Sequence, residues 1–334
     1  MSFPGRCAPR PPRVAGFTVL ELLVTLALIS LVMGVGVGVF LNLTPSSTLS
    51  AGNALVESLL RSARNFCRAH DTEAVVVADF DRHEVYALAL RAVGQWHFED
   101  AGTTGAFGRD GTIADSKIVE GGTVGKCLRP GKRGEVDCGV SVAFDPTEGI
   151  GLFADVRPER DEPGTIFAKG GGYWLSIDKD FHLHGGVGVS DSGRSEARSA
   201  VQAESGDIRL VPERWARVGL IYNGVDLRLY INAMEVARVQ EGRKMCPDPE
   251  ARLRISAAER PFPGLIDEAT VYAVSGGDRR QLPKGVVLAE GDRMIRFDAT
   301  GRLDPRFHLK PAVLVLKGQN RTARIEVGLY GTVR

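Results

Sequence analysis

The clearest pattern in the chain is an unbroken apolar run near its N-terminus. Residues 22–40 contain no charged side chain, and the one charge just before them belongs to Glu21. A helix of about 20 apolar residues, rising about 1.5 Å per residue, spans the hydrocarbon core of a bilayer, which is about 30 Å thick. The run therefore predicts a membrane-spanning helix over residues 17–43.

The segment after the apolar run has the periodicity of an amphipathic helix. Across residues 48–70, apolar side chains recur every three to four positions, and most charged side chains lie off that stripe. The stripe consists of Leu55, Leu59, Ala63 and Phe66, and Val56, Leu60 and Cys67 lie beside it. An apolar stripe of this kind must be covered, so we expect an amphipathic helix that docks on a sheet.

Alternating and valine-rich segments then predict a β-hairpin. Residues 73–80 are rich in valine, residues 81–83 suit a turn, and residues 84–92 return with apolar side chains at alternate positions. Three further candidate strands lie near the C-terminus, over residues 293–298, 312–316 and 323–328, and they depend on the family resemblance given below.

Short alternating segments separated by turns fill the region between these two sets of strands. This pattern is typical of an antiparallel β-sandwich. About 200 residues cannot form a structureless loop in a compact domain, so we expect a separate domain over residues 94–275, inserted at a loop of the first. The first domain would then be discontinuous, with residues 44–93 and 285–334.

The composition restricts the partners and the redox chemistry. The 42 basic and 41 acidic side chains are balanced, which disfavours nucleic acid as a partner because nucleic acid requires an excess of positive charge. Cys127 and Cys138 flank a turn-like segment and could form a disulfide outside the cytoplasm, or could remain free. No Cys-x-x-Cys or Cys/His cluster at zinc spacing occurs, so no zinc site of that type is predicted.

The segment from Gly16 through Phe17 to Glu21 resembles the N-terminus of type IV prepilins and type II secretion pseudopilins. The leader, residues 1–16, supports this because it is basic and lacks acids, with arginines at positions 6, 10 and 13. An ordinary signal peptide or signal anchor is the alternative, but the cleavage site of a signal peptide would follow the apolar run.

The resemblance implies a route of processing and assembly. A prepilin peptidase would cleave after Gly16, and Phe17 would become the methylated N-terminus. Glu21 would pair with the terminal amine of a neighbouring pilin subunit and set the register, although a Glu at a helix end can also reach the headgroups. The protein would be a single-pass protein of the bacterial inner membrane, with its globular part in the periplasm or in a pilus-like fibre.

Two further resemblances concern the fold. The predicted helix, hairpin and C-terminal strands resemble the α+β pilin fold of minor pseudopilins of the GspH/FimT type. The inserted region resembles the laminin-G-like, concanavalin A-like jelly roll, with motifs at residues 96–98, 215–224 and 262–272. Asn232 and Ala233 replace the usual Asp-Gly turn of that family. Trp215, Tyr222 and Tyr230 are expected in the core and on the sheet rather than in a ligand platform.

The candidate chemistry of the insert is limited. Some concanavalin A-like sandwiches are glycoside hydrolases, but the Glu-x-Asp-x-x-Glu strand of the retaining enzymes does not occur, so we expect no catalytic residues and no enzyme. The pair Asp267 and Glu268 belongs to the family's hairpin signature. We assign no metal site and no cofactor, although calcium binding by turn acids is open, the candidates being Asp178, Asp180 and Asp226.

His182 and His184 occupy alternate positions of one predicted strand. They would therefore share a face of the sheet, which suits a metal pair or contact with a sugar, or simple exposure to solvent. Taken together, the patterns predict a minor pseudopilin or pilin whose sandwich recognises a secreted protein or a glycan. The alternatives are a pilus-tip adhesin for carbohydrate and, less favoured, a polysaccharide-active enzyme.

Overall fold

The computed structural model describes residues 48–100, 105–106, 110–190, 199–319 and 321–334. The predicted membrane-spanning helix, with Gly16, Phe17 and Glu21, lies outside these residues. Within the described ranges, no helix is both long enough and apolar enough to span a bilayer.

One helix, α1, extends over residues 48–70, and the strands follow it. In chain order they are β1 (Glu73–Asp79), β2 (Glu84–Trp96), β3 (Gly105–Ala106), β4 (Thr112–Glu120), β5 (Lys126–Gly139), β6 (Ile150–Pro158), β7 (Gly164–Lys169), β8 (Tyr173–Ile177), β9 (His182–Ser190), β10 (Ser199–Arg209), β11 (Ala216–Tyr222), β12 (Asp226–Ile231), β13 (Met234–Gln240), β14 (Lys244–Met245), β15 (Leu253–Ile255), β16 (Gly264–Gly276), β17 (Arg280–Gln281), β18 (Val287–Gly291), β19 (Met294–Phe297), β20 (Ala312–Lys317) and β21 (Thr322–Val327). A short 3-10 turn covers Val142–Phe144.

Helix α1 packs on a sheet built from both ends of the described chain. As predicted, β1 and β2 form an antiparallel hairpin, and β19 pairs with the free edge of β1. Strands β18, β20 and β21 form a second, three-stranded sheet beside them. Side chains of α1, β1, β19, β20 and β21 share one hydrophobic core, so residues more than 200 positions apart stabilise the same unit.

The buried face of α1 is rotated slightly from the predicted stripe. Val56, Leu60 and Cys67 are fully buried at its centre, whereas Phe66, predicted on the stripe, is 40% exposed and stacks on His70. Residues three and four positions apart share one side of a helix, so the periodicity does not distinguish the centre of the apolar face from its edge.

The remaining strands form an antiparallel sandwich of two layers. One layer runs in the order β13, β12, β11, β6, β16 and β2, and the other in the order β4, β5, β15, β7, β8, β9 and β10. A single large core lies between them. Gly185 in β9 shows how closely the layers approach, because a Cβ there would lie 2.6 Å from Leu220 and 2.8 Å from Leu229 of the opposite layer.

Two long strands connect the sandwich with the sheet under α1. Strands β2 and β16 have 13 residues each and pair from Trp96 opposite Ala269 to Leu88 opposite Gly276. Helix α1 covers only one face of the hairpin. The other face packs on the outer face of the layer that contains β6, β11, β12 and β16, and a third apolar cluster fills this contact. The hairpin sheet is therefore held between α1 and the sandwich.

The structure does not contain the turn expected between Cys127 and Cys138. Lys126–Gly139 is one strand with a bulge, and both cysteines are free and buried. Cys127 lies opposite Val119 of β4, and Cys138 lies just beyond the pair of Asp137 with Thr112. Seven positions at about 3.3 Å each separate these partners by about 23 Å, whereas a disulfide requires Cα atoms within about 7 Å. The proline and glycines that suggested a turn form the bulge instead.

Candidate functional site

The candidate site is an open cavity on the outer face of the layer that contains β7, β8 and β9. It has a volume of about 400 Å³. Strand alternation creates it: in β8 the buried side chains of Tyr173, Leu175 and Ile177 point into the core, so the intervening residues point outward. The lining residues are Thr165, Ala168, Trp174, Ser176, Ile177, Asp178, His184 and Arg260.

Trp174 gives the cavity its aromatic wall. Its neighbour across the ladder is Gly186 of β9, and a Cβ at that glycine would lie 2.7 Å from the indole Nε1. The missing side chain thus lets the indole lie over the next strand. A half-buried indole of this kind offers both an apolar face and an N–H donor to a ligand.

Asp178, in the turn between β8 and β9, organises the polar wall. Its Oδ1 accepts the backbone N–H groups of Asp180 at 2.8 Å and His182 at 2.9 Å. Its Oδ2 lies 3.2 Å from His182 Nδ1 and 3.2 Å from His184 Nε2. The carboxylate is therefore fixed by the turn and faces two imidazoles.

The same contacts determine the protonation of Asp178. Burial alone would raise the pKa of its carboxyl, but the hydrogen bonds from the backbone of His182 and from the side chains of His184 and His182 lower the pKa to about 2. The group is consequently a carboxylate over the whole physiological range of pH.

Glu204 of β10 completes this wall from the neighbouring strand. It lies directly opposite His184 in the register, immediately before a bulge in β10. Ser205, buried within the bulge, accepts the backbone N–H of Leu183 and so fixes the strand at this point. Donor atoms of Asp178, His184 and Glu204 all lie within 4.8 Å of one another.

The structure places the other predicted acids in different surroundings. Asp178 belongs to the cavity, and Asp180 lies in the same turn with an exposed side chain. Asp226 is 1% exposed and accepts a hydrogen bond from Arg228 at 3.1 Å, with further ion pairs to Arg238 and Arg279. Because these arginines already neutralise it, Asp226 is not the available turn acid that the sequence suggested.

Asp267 also has a structural role, as expected from the hairpin signature. It is fully buried and accepts hydrogen bonds from the backbone and the hydroxyl of Thr123, both at 2.8 Å. Tyr222 and Tyr230 are buried, and Trp215 is half-buried under Arg157. The two tyrosines are therefore not an open ligand platform.

Sequence reasoning missed Trp174 and Glu204 as site residues. Trp174 lies in residues 173–177, one of the short alternating segments of the insert. An aromatic side chain at an outward position of such a segment was the signal that could have identified it as a site residue. Glu204 stands in a segment that the sequence analysis does not assign to a strand, although residues 200–205 alternate between exposed and buried positions. Without that strand, its position opposite His184 could not be inferred.

Comparison with known proteins bears on the N-terminus. The family model of the prokaryotic N-terminal methylation motif matches residues 11–37. This segment contains Gly16, Phe17 and Glu21 together with most of the apolar run. The match supports a prepilin-type, membrane-anchored subunit and points to a non-enzymatic protein.

Several solved structures resemble the described chain at low identity. Domain 4 of AbnA, a GH43 extracellular arabinanase from Geobacillus stearothermophilus solved with arabinotriose, is 16% identical, with a TM-score of 0.44 over 56% of this chain and 94% of that one. The binding domain of Paraclostridial Mosquitocidal Protein 1 is 12% identical, with a TM-score of 0.45 over 55% and 49% of the two chains.

The botulinum neurotoxin serotype C1 binding domain is 8% identical, with a TM-score of 0.40 over 70% and 73% of the two chains. Similarity at this level does not indicate what this chain binds. No curated protein sequence matches the chain significantly. The matched methylation motif is thus the comparison that bears on the role of the protein.

Proposed function

We propose that this protein is a minor pilin or pseudopilin subunit that carries a recognition module. In this proposal, prepilin peptidase cleaves after Gly16 and methylates Phe17. The helix over residues 17–43 anchors the subunit in the inner membrane and packs with other subunits in a pilus-like fibre, where Glu21 sets the register. The observation that carries the proposal is the methylation motif matched over residues 11–37.

The globular part would have two units in this proposal. Residues 44–93 and 285–334 form a discontinuous pilin-like domain, and residues 94–275 form the inserted sandwich. The helix packed on a hairpin that pairs with a C-terminal strand supports the first unit. The large separate core supports the second.

The sandwich would recognise a glycan or a secreted protein in the periplasm. The cavity beside Trp174 supports the glycan, because sugar rings stack on aromatic faces while their hydroxyl groups bond to polar side chains such as Asp178 and Arg260. A pilus-tip adhesin is the alternative, and it uses the same face. Secretion and adhesion differ in the partner rather than in the fold.

Assembly is tested by cross-linking in the native host, followed by isolation of the protein from solubilised membranes. Wild type should recover other subunits with N-terminal methylation motifs. Glu21→Val should be processed and yet recover at least ten-fold less of them, because the terminal amine loses its partner. Glu57→Gln, at a half-buried carboxylate of α1 paired with the exposed Arg61, is the control and should behave as wild type. Equal recovery by Glu21→Val would contradict the assembly role.

Recognition is tested by glycan binding to the detergent-solubilised full chain. Trp174→Ala should weaken binding at least ten-fold, whereas Trp215→Ala, a half-buried tryptophan that does not line the cavity, should leave it unchanged. Co-purification of a secreted protein without any glycan binding would favour the secretion role over the adhesin.

A further inference from the structure

We propose that Asp178, His184 and Glu204 form a binding site for a divalent transition metal ion such as Zn²⁺. Three elements supply the three ligands: the turn after β8, strand β9 and strand β10. The site is independent of the N-terminal motif, and it goes beyond the recognition role because it does not depend on which partner the sandwich binds.

The distances fit a tetrahedral ion. Zinc binds imidazole nitrogen and carboxylate oxygen at about 2.0–2.1 Å, so two ligand atoms of a tetrahedral site lie about 3.3–3.4 Å apart. Asp178 Oδ2 and His184 Nε2 are separated by 3.2 Å, and donor atoms of Glu204 lie within 4.8 Å of both. A rotation of the exposed Glu204 side chain brings its carboxylate to the third position.

The ligand atoms favour a transition metal over calcium or magnesium. The hard cations Ca²⁺ and Mg²⁺ prefer shells made of oxygen, with six or more ligands for Ca²⁺. Imidazole nitrogen together with carboxylate oxygen suits zinc, nickel and copper. The site has three protein ligands, one histidine and two carboxylates. A tetrahedral ion held by them keeps its fourth position open.

The surroundings hold the ligands in place without a metal. The backbone N–H groups of Asp180 and His182 fix the carboxylate of Asp178 through Oδ1, so that Oδ2 points to the imidazoles. The strand pairing places Glu204 opposite His184. His182 Nδ1 lies 3.2 Å from the same Oδ2 and can donate to it, as outer partners of metal-ligating carboxylates commonly do.

The position of the site adds a consequence for recognition. Asp178 and His184 both line the cavity that contains Trp174. An ion held between them would border that cavity, and its open position could accept an oxygen of a ligand resting on the indole.

The test is calorimetric titration of the detergent-solubilised full chain, purified without a polyhistidine tag, with ZnCl₂ and separately with CaCl₂. Wild type should bind one Zn²⁺ with micromolar or tighter affinity and should bind Ca²⁺ at least a hundred-fold more weakly. His184→Ala and Glu204→Gln should each weaken Zn²⁺ binding at least ten-fold. Asp180→Asn, a neutralised acid in the same turn that is not a ligand, should remain within two-fold of wild type.

Thermal unfolding keeps the test independent of folding defects. Zn²⁺ in excess should raise the Tm of wild type and of Asp180→Asn, because an ion that binds only the folded state stabilises it. The two ligand variants should have the Tm of metal-free wild type and should show no such rise. Absence of Zn²⁺ binding by wild type, or equal binding by His184→Ala, would overturn the site.

Discussion

Glu73, at the start of β1, forms an ion pair with Arg296 of β19, 223 residues later in the chain. Arg296 is completely buried, and its Nε donates to Glu73 Oε2 at 3.0 Å. Its Nη2 donates to the Tyr272 hydroxyl of β16 at 2.8 Å, and that hydroxyl donates to Glu73 at 3.1 Å. The guanidinium also stacks on the rings of Phe153 and Phe307. One buried cation of β19 therefore joins the hairpin to the sandwich.

Neutralising Glu73 should destabilise the whole globular part. Burial would raise the pKa of Glu73, but the charges of Arg296 and Arg306 outweigh it and lower the pKa, so the group is ionised in the fold. Glu73→Gln leaves buried cations without this partner and should cost about 3 kcal/mol. Denaturant unfolding of the detergent-solubilised chain, followed by tryptophan fluorescence, measures the change.

The control is Glu57→Gln, which removes a 3.4 Å pair with the exposed Arg61 but keeps an oxygen that can accept from Asn53, and it should cost less than about 0.5 kcal/mol. If the free energy of unfolding fell by the same amount in both variants, the buried ion pair of Glu73 with Arg296 would not stabilise the fold as described above.

His308 should make the stability of the fold depend on pH below about 6.5. Its Nε2 accepts the backbone N–H of Arg296 at 3.0 Å, so the ring must be neutral at that nitrogen. Burial lowers its pKa and the charge of Arg296 adds to this, while Asp292 and Asp304 act in the opposite direction. A lowered pKa means that stability is complete above the unfolded value of about 6.5 and is lost as the pH falls through the folded value.

The prediction concerns the difference in the free energy of unfolding between wild type and His308→Gln. Gln can accept the same hydrogen bond without titrating. As the pH is lowered from 7.5 to 5.5, the free energy of unfolding of the variant should therefore rise relative to that of wild type, by at most about 1.4 kcal/mol per pH unit. His70→Gln, at the exposed end of α1, should follow wild type. A difference that does not change with pH would argue against the role of His308.

Replacing Ala233 by glycine should stabilise the sandwich. Asn232 and Ala233 form the two-residue turn between β12 and β13, with φ values of 49° and 66°. A side chain in this left-handed region is strained by about 1 kcal/mol, and glycine is not. Since the Ala233 methyl group packs partly against the cluster beneath the hairpin, the net gain should be about 0.5 kcal/mol in denaturant unfolding.

Ala237→Gly in β13 is the matched control, because it loses the same methyl group without relieving strain. It should destabilise the protein. If Ala233→Gly were no more stable than wild type, strain in this turn would not affect stability.

The cysteines should resist labelling in the folded chain. Cys67, Cys127, Cys138 and Cys246 are buried and free. Burial raises the pKa of Cys67 to about 12 and that of Cys127 to about 11, so the reactive thiolate is scarce. In the processed chain, which lacks Cys7 of the leader, maleimide–polyethylene glycol should add to none of the four when the chain is folded, and to all four after unfolding without reductant. If the unfolded protein gained two adducts fewer without reductant than with it, a disulfide would be present, as between Cys127 and Cys138.

Local patterns predicted elements better than contacts between them. Alternation and turn residues predict the hairpin of β1 and β2, because it depends mainly on its own segment. The strands β19, β20 and β21 are expected from the resemblance to the pilin fold as well. The polar wall of the cavity depends on the register of β8, β9 and β10, which brings Asp178, His184 and Glu204 together over 27 residues. Periodicity indicates which face of the sheet a side chain occupies, but it does not indicate which strand lies beside it.

The buried ions show the same limit. Nothing in the sequence around Asp226 distinguishes a solvated turn acid from one enclosed by Arg228, Arg238 and Arg279, since Arg279 comes from beyond the end of β16. Similarly, the glycines and the proline between Cys127 and Cys138 are as compatible with a bulge as with a turn.

The central claim is that the chain is a processed pilin-like subunit, and mass spectrometry of the N-terminus tests it most directly. The protein would be expressed with a prepilin peptidase as wild type and as Gly16→Ala. The account predicts a wild-type chain that begins at methylated Phe17, and an unprocessed variant. A chain that begins at Met1 in both would contradict it.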